Sequence, residues 1–465
     1  MRPKIALVHP RFHYPSGDLP IGILGLAAFL RERLPVDVVL CDTTFRRDFG
    51  YVRRFLEEER PDLVGIGSST LMIADAREVA RLARSRNALV FLGGPHPTVD
   101  SRSVLAWPEV DAVVIGEGEA STLDLVEMLL SGQRRPVAGC LVRDSDGGVL
   151  EGPARPPLPD LDALPFPAWD LVDMPAYLRS WGQLGAWQPG LPGANLMASR
   201  GCPFHCAFCQ PVLTRMFGPG QRVRSPDHVA REVETLHRLY GIRGFWLNDD
   251  TLTTRADWLA TFADALGRRV PGIGWGCNTR GGLMPPDLLG DLARAGLKRV
   301  GVGLEAASDR IREGLYHKGV SVEDVRHTVE TAHAAGIRTL VYVMLGAPGE
   351  TWEEMHDTVR VVTSMPADEA SFSLFVPLPG TAIHQEMLAQ GWVLSDDPYD
   401  YDYYARQPFR SGADLSRLRL IQHVAYARFY GRPHHWPYLA RCLASPSARS
   451  TLVDKLRRLG PRSLA

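Results

Sequence analysis

A chain of 465 residues exceeds what one ordinary hydrophobic core organises, so two or three domains are expected. Its 52 basic and 53 acidic side chains give a formal net charge of -1, a balance that offers no support for a nucleic-acid or membrane-surface partner. No apolar run reaches the ~18 residues of a membrane span, and Met1-Arg2-Pro3-Lys4-Ile5-Ala6-Leu7-Val8 reads as a buried strand rather than a signal peptide, so a cytoplasmic protein is expected.

From residue 4 to about 150, short apolar strands alternate with amphipathic helices. The strands are expected at Ile5–His9, Val36–Cys41, Leu63–Gly67, Ala88–Leu92, Ala112–Ile115 and Gly139–Val142. The helices fall at Ile21–Arg33, Val52–Glu59, Ala74–Arg86 and Ala120–Ser131. Strands apolar on both faces and separated by helices predict an α/β, doubly wound (Rossmann-like) parallel sheet over 1–150. Such sheets bind ligands beyond the carboxyl ends of their strands. Those ends carry Ser68-Ser69-Thr70, Gly93-Gly94-Pro95-His96-Pro97-Thr98 and Gly116-Glu117-Gly118-Glu119. Small residues there admit a large ligand to the backbone, and tight strand-to-helix turns are the plainer reading.

Residues 151–192 are rich in proline and tryptophan and read as a linker or strap. Over 193–392 the alternation resumes, with strands at Ala194–Ser199, Gly244–Asn248, Ile273–Asn278, Arg299–Leu304, Arg338–Leu345 and Ala370–Val376. Helices are expected at Ser225–Tyr240, Arg255–Arg268, Pro285–Ala295, Ser321–Ala335, Trp352–Ser364 and Ala382–Ala389. Six such units suit a partial (β/α)6 barrel of TIM type with its functional groups at the strand carboxyl ends. The tail, 393–465, begins polar and aromatic (Tyr399, Tyr401, Tyr403, Tyr404) and ends in helical patterning.

Seven cysteines are present, and three of them, Cys202, Cys206 and Cys209, crowd into eight residues. An odd count with one tight cluster argues for metal ligation in a reducing compartment rather than for disulfides. The segment Arg200-Gly201-Cys202-Pro203-Phe204-His205-Cys206-Ala207-Phe208-Cys209 follows the first barrel strand. Three thiolates without a fourth suit a cubane cluster that keeps one iron open to an exogenous group. Zinc would want a fourth ligand, and His205 lies between two of the cysteines, where it converges with them poorly.

Here the chain resembles the radical S-adenosylmethionine (AdoMet) superfamily, over about 194–390. The resemblance implies a 4Fe–4S cluster on Cys202, Cys206 and Cys209, AdoMet on the open iron, and reductive cleavage to a 5′-deoxyadenosyl radical. It places Phe208 beside the adenine and the second-strand end, Asn248-Asp249-Asp250-Thr251, near the AdoMet amino group. Either carboxylate, Asp249 or Asp250, suits an ammonium, with an Asx turn as the alternative. Arg280 is a candidate for the AdoMet carboxylate or for a structural ion pair. Glu305, in Gly303-Leu304-Glu305, and Gly346, in Gly346-Ala347-Pro348-Gly349-Glu350-Thr351, match segments that lie near AdoMet in the family.

The first domain resembles the cobalamin-binding domain of one large subgroup, on Gly93-Gly94-Pro95-His96-Pro97-Thr98 and Gly116-Glu117-Gly118-Glu119. The implied cobalamin contacts are Ser68, Ser69, Gly93, Gly94, His96, Gly116, Glu117 and Gly118. The D-x-H-x-x-G motif that supplies an axial histidine elsewhere is absent, so cobalamin bound through a histidine is not expected. The favoured function is a cobalamin-dependent C-methyltransferase that takes hydrogen from a small-molecule substrate of natural-product or lipid type. A radical rearrangement, cyclisation, oxidation or dehydration is the alternative, and a non-catalytic cofactor-binding protein the remote one. An external one-electron reductant, flavodoxin or ferredoxin, is implied.

Overall fold

The computed structural model describes residues 2–12, 17–185, 187–188, 190–393, 409 and 414–444. The tail tyrosines Tyr399, Tyr401, Tyr403 and Tyr404 lie outside the described residues. The first sheet has seven strands: β1 (Lys4–His9), β2 (Asp37–Asp42), β3 (Leu63–Gly67), β4 (Leu89–Gly93), β5 (Ala112–Val114), β6 (Cys140–Arg143) and β7 (Val149–Glu151). Their order is β2-β1-β3-β4-β5-β6-β7. Alternate residues of β1 feed opposite faces: Ile5 and Leu7 pack with Leu24, Leu30 and Leu125, while Ala6 and Val8 pack with Val52, Leu56 and Val79. That two-sided burial is why the strands read as unbroken apolar runs.

The first five strands are parallel, but β6 runs antiparallel to β5 and β7 antiparallel to β6. This corrects the all-parallel expectation, because an apolar run does not encode its own direction. Asp144-Ser145-Asp146-Gly147-Gly148 returns β6 to β7, with Gly147 at φ 86. Two short helices, Pro95–Val99 and Ser101–Leu105, follow β4 and were not apparent in the sequence.

The second sheet is all parallel and open, in the order β15-β14-β13-β12-β11-β8. Its strands are β8 (Gly193–Leu196), β11 (Gly244–Leu247), β12 (Gly274–Thr279), β13 (Leu297–Glu305), β14 (Arg338–Leu345) and β15 (Glu369–Leu374). Between β8 and β11, β9 (Ser199–Arg200) and β10 (Arg222–Val223) form a small antiparallel ribbon. Helices Pro226–Tyr240, Ala256–Arg269, Pro286–Arg294, Val322–Ala334 and Trp352–Ser364 follow the strands; two of them start at capping boxes, Ser321 with Asp324 and Thr351 with Glu354. The edge strand β15 is covered by helix Leu415–Tyr430, whose Gln422 Nε2 donates to Phe372 O at 2.7 Å.

The strap plugs the amino-terminal end of this barrel. Trp181, Leu184, Leu191 and Trp187 pack with Trp246 there. A Cβ on Gly193 would meet the Trp181 ring at 2.4 Å, one on Gly244 the Leu191 side chain at 2.6 Å, and one on Gly274 the Trp187 ring at 2.4 Å. Three barrel strands therefore start with glycine to seat the plug, which leaves chemistry to the carboxyl ends.

Candidate active site

Gly201 opens the cysteine loop at φ 84, and a Cβ there would lie 2.4 Å from Gly220 O, so the turn admits only glycine. The loop is stitched from both sides, by Ala207 N to Tyr316 O at 2.9 Å and Ala382 N to Gln210 O at 2.7 Å. Cys206 is buried and Cys202 and Cys209 half-buried. Burial, reinforced by the neighbouring Cys206, pushes the Cys209 thiol up to about 12. Thiolates here therefore need cations. Lys318 supplies one for Cys209, and Arg280 places its Nη1 3.6 Å from Cys206 Sγ while its guanidinium stacks on Phe204. Among the described residues no three His, Cys, Asp or Glu side chains converge as ligands of a single metal ion.

The two adjacent aspartates have opposite fates. Asp249 is buried and its carboxylate is consumed by Ala198 N, 3.1 Å from either oxygen, and by Ser199 Oγ at 2.5 Å. It braces the chain just ahead of the cysteines, and the expected ammonium-binding role does not fit it. Asp250 is exposed and close enough to Cys209 to raise its thiol, and desolvation pushes its own carboxyl up to about 6.

Glu305 sits at φ 68, where a register shift between β13 and β14 re-aims it. Its Oε1 accepts from Lys318 Nζ at 2.8 Å, and Lys318 also lies over the Phe208 ring. A Cβ on Gly303 would strike both ends of that ion pair, at 2.4 and 2.7 Å. Lys318 was missed in the sequence. Phe208 packs edge-on against Tyr316, whose hydroxyl is buried without a partner among the described residues. Gly346, at φ 83, and Ala347 donate their N–H groups to Glu350 Oε2 at 2.7 and 3.0 Å. Burial pushes the Glu350 carboxyl up to about 7 against those two hydrogen bonds, and its Oε1 has no partner among the described residues.

A second site lies at the carboxyl edge of the first sheet, a cleft of about 390 Å³. Its floor is Leu7, Ile66, Phe91 and Val114, its rim Ser68, Ser69, Gly93, Gly94, Gly116, Glu117 and Gly118, and its far wall Met197, Arg200, Met216 and Phe217 from the barrel side. Gly94, at φ 107, rests on Ser68, whose carbonyl oxygen a Cβ would approach to 2.7 Å. His96 is absent from the lining. It is buried in the helix Pro95–Val99 with Nδ1 3.2 Å from Thr70 Oγ1, which corrects its expected contact. His9, at the end of β1, does line the cleft and was overlooked; burial lowers it to about 4, so it is neutral, and its Nε2 has no partner among the described residues. An apolar floor, a rim of small residues and an orphaned polar atom fit a large, largely apolar group with amide edges.

Fold and site together define an enzyme that sets a three-cysteine cluster loop against a second cofactor cleft. The Radical SAM superfamily model matches residues 196–362, and the B12 binding domain model matches residues 18–126. An uncharacterized methyltransferase of Pyrococcus horikoshii is 30% identical over 423 residues, spanning 89% of this chain and 88% of that protein. The anaerobic magnesium-protoporphyrin IX monomethyl ester cyclase of Rubrivivax gelatinosus is 28% identical over 448 residues, 92% of this chain and 77% of that one. The radical S-adenosylmethionine methyltransferase TsrM of Kitasatospora setae, solved with cobalamin and a 4Fe–4S cluster bound, matches the fold with a TM-score of 0.71 over 94% of this chain and 92% of that one, at 19% identity. The chain belongs to the radical AdoMet superfamily, in the group that joins a B12-binding domain to the radical domain. Its cofactors are accordingly a 4Fe–4S cluster, AdoMet and cobalamin. No helix among the described residues is long and apolar enough to cross a membrane.

Proposed function

We propose that this enzyme is a cobalamin-dependent C-methyltransferase acting on a small molecule of natural-product or lipid type. The observation that carries the reading is the shared wall: Met197 and Arg200, just ahead of the cluster cysteines, and Met216 and Phe217, just after them, line the glycine-rimmed cleft. When bound, the cluster with AdoMet supplies a hydrogen-abstracting radical, and cobalamin supplies a methyl group.

Cys202, Cys206 and Cys209 hold the cluster, and Arg280 offsets their charge. Asp250 receives the AdoMet ammonium, Phe208 and the Gly346 loop flank the adenine, and the Glu305–Lys318 pair closes the same side. Asp249 keeps the cysteine loop in place. Ser68, Ser69, Gly93, Gly94, Gly116, Glu117 and Gly118 cradle the cobalamin. The working division is 1–150 for cobalamin, 151–192 as strap, 193–392 as radical barrel and 393–465 as tail. A flavodoxin or ferredoxin in the cytoplasm is the matching electron donor.

The cyclase relative favours one second reading, a radical cyclisation or oxidation in which cobalamin has another role. Anaerobically reconstituted, chemically reduced holoenzyme given AdoMet separates the two. Release of S-adenosylhomocysteine beside 5′-deoxyadenosine supports methylation. 5′-Deoxyadenosine alone favours the second reading and overturns the first.

A further inference from the structure

The wall shared by the two cofactor sites is held by four charged side chains, two of them from the Gly116-Glu117-Gly118-Glu119 segment and two from the β9–β10 ribbon. Arg200, adjacent to Gly201 and Cys202, reaches Glu119 through both guanidinium nitrogens, at 2.5 and 3.2 Å, and Glu117 Oε1 at 3.2 Å. Arg222 grips Glu117 at 2.5 and 3.3 Å. Its two terminal nitrogens also donate to Phe217 O at 2.8 Å and Leu158 O at 2.5 Å. Glu117 Oε2 accepts in turn from Leu158 N at 2.8 Å. The carboxylates are 7% exposed and the two arginines 19% and 20%.

Arg200 and Arg222 are directly opposed across the β9–β10 ribbon. Like charges so placed repel, and here the compensating charge comes from another sheet, at the start of the helix Gly118–Ser131 that edges the cobalamin cleft. The ribbon that leads into the cluster loop is therefore electrostatically complete only when seated on the cleft. Burial alone would raise Glu119, yet Arg200 brings it below the usual carboxylate range. Buried ion pairs add little net stability over an apolar replacement, and their best-attested contribution is to specify register. Next to the network, Gly116, at φ 78, lies so close to the segment after the cysteines that a Cβ would stand 3.4 Å from Met216 O.

We propose that the Glu117–Arg200–Glu119–Arg222 network fixes the separation and orientation of the cobalamin cleft relative to the cluster loop. Its members are positioning residues. The consequence for methyl transfer rests on the C-methylation reading above, whereas the positioning itself does not.

The test uses Arg222→Lys, which keeps the charge but loses the fork, and Glu119→Gln, which keeps the shape but loses the charge. Holoenzyme carrying hydroxocobalamin and reconstituted cluster is reduced to paramagnetic Co(II) and 4Fe–4S(1+), and pulsed dipolar EPR reads the distance between the two spins. Wild type should give one narrow distribution. Both variants should retain wild-type iron and cobalamin contents while the distribution broadens and shifts. An unchanged distribution in both overturns the proposal. Loss of bound cobalamin also overturns it, since the network would then retain the cofactor rather than orient it. If wild type releases no S-adenosylhomocysteine, the methylation reading falls while the spin distance still decides the network's role.

Discussion

Replacing Lys318 by methionine removes the cation 2.8 Å from Glu305 Oε1, in a pair whose side chains are each 11% exposed. Burial pulls the Lys318 ammonium down, but the charge and hydrogen bond of Glu305 outweigh it and leave the lysine above its usual value. A raised lysine contributes stability that is fully present below its unfolded pKa of ~10.4 and lost as pH rises through the higher folded value, so near neutrality the whole contribution is in force. Removing one member of a buried pair costs ~3–5 kcal/mol, because the survivor stays buried and uncompensated. Glu305→Gln strands Lys318 in the same way, whereas Lys318→Met with Glu305→Gln strands neither. The double variant should therefore cost less than the two singles together, by ~2 kcal/mol. Anaerobic urea unfolding of the cluster-free protein, followed by tryptophan fluorescence, measures all three corners of the cycle against wild type. Strictly additive costs would show that the two charges do not compensate each other, and would refute the reasoning.

Glu350→Gln tests the buried carboxyl at about 7. An acid raised by burial stabilises the fold while protonated and loses that contribution as pH climbs from its unfolded ~4.3 through the folded value, so wild type should weaken by ~3 kcal/mol between those limits and the Gln variant much less. Calorimetric melting across that range checks it, and parallel curves would contradict it. Gly201→Ala forces a left-handed alanine, at ~1–2 kcal/mol, against Gly220 O; iron per chain after reconstitution should fall, and a wild-type iron count would contradict the assigned turn. Asp250→Asn should raise the AdoMet Kd ~10-fold, equivalent to ~1.4 kcal/mol, without changing iron content. Wild-type affinity should improve as pH rises through about 6, where the carboxylate forms, and the variant's should not. Equilibrium dialysis against labelled AdoMet reads both.

Much of this architecture is legible in local pattern. Arg338–Leu345 and Trp352–Ser364 are strand and helix with the expected bounds, because an apolar run and the Thr351–Glu354 capping box are local signals. Direction is not local, and β6 reverses without any change in its apolar character. Side-chain fate at a strand end is equally hidden: Asp249 and Asp250 are neighbours, yet one is buried against the chain before the cysteines and the other is exposed near Cys209. Lys318 reaches Glu305 because His317 and Gly319, at φ 49 and 61, turn the loop back. His-Lys-Gly carries a turn signal but nothing that names a partner. His96 sits in the most motif-like segment and points away from the cleft, while His9 ends an unremarkable strand and lines it.

The chemistry needs two unlike environments side by side, and the chain separates them by floor and wall. The cleft floor is apolar because the β1, β4 and β5 residues facing it, Leu7, Phe91 and Val114, belong to a sheet buried on both faces. The barrel mouth is polar because its strand ends deliver Asp250, Arg280 and Glu305. Burying such charges against a bare apolar surface would cost several kcal/mol each, so the two sites cannot simply abut. The arginine and glutamate network between them meets that requirement with pairs that satisfy one another. The strap plug meets a complementary one: tryptophans packed at the glycine strand starts close the amino-terminal end of the barrel with apolar side chains.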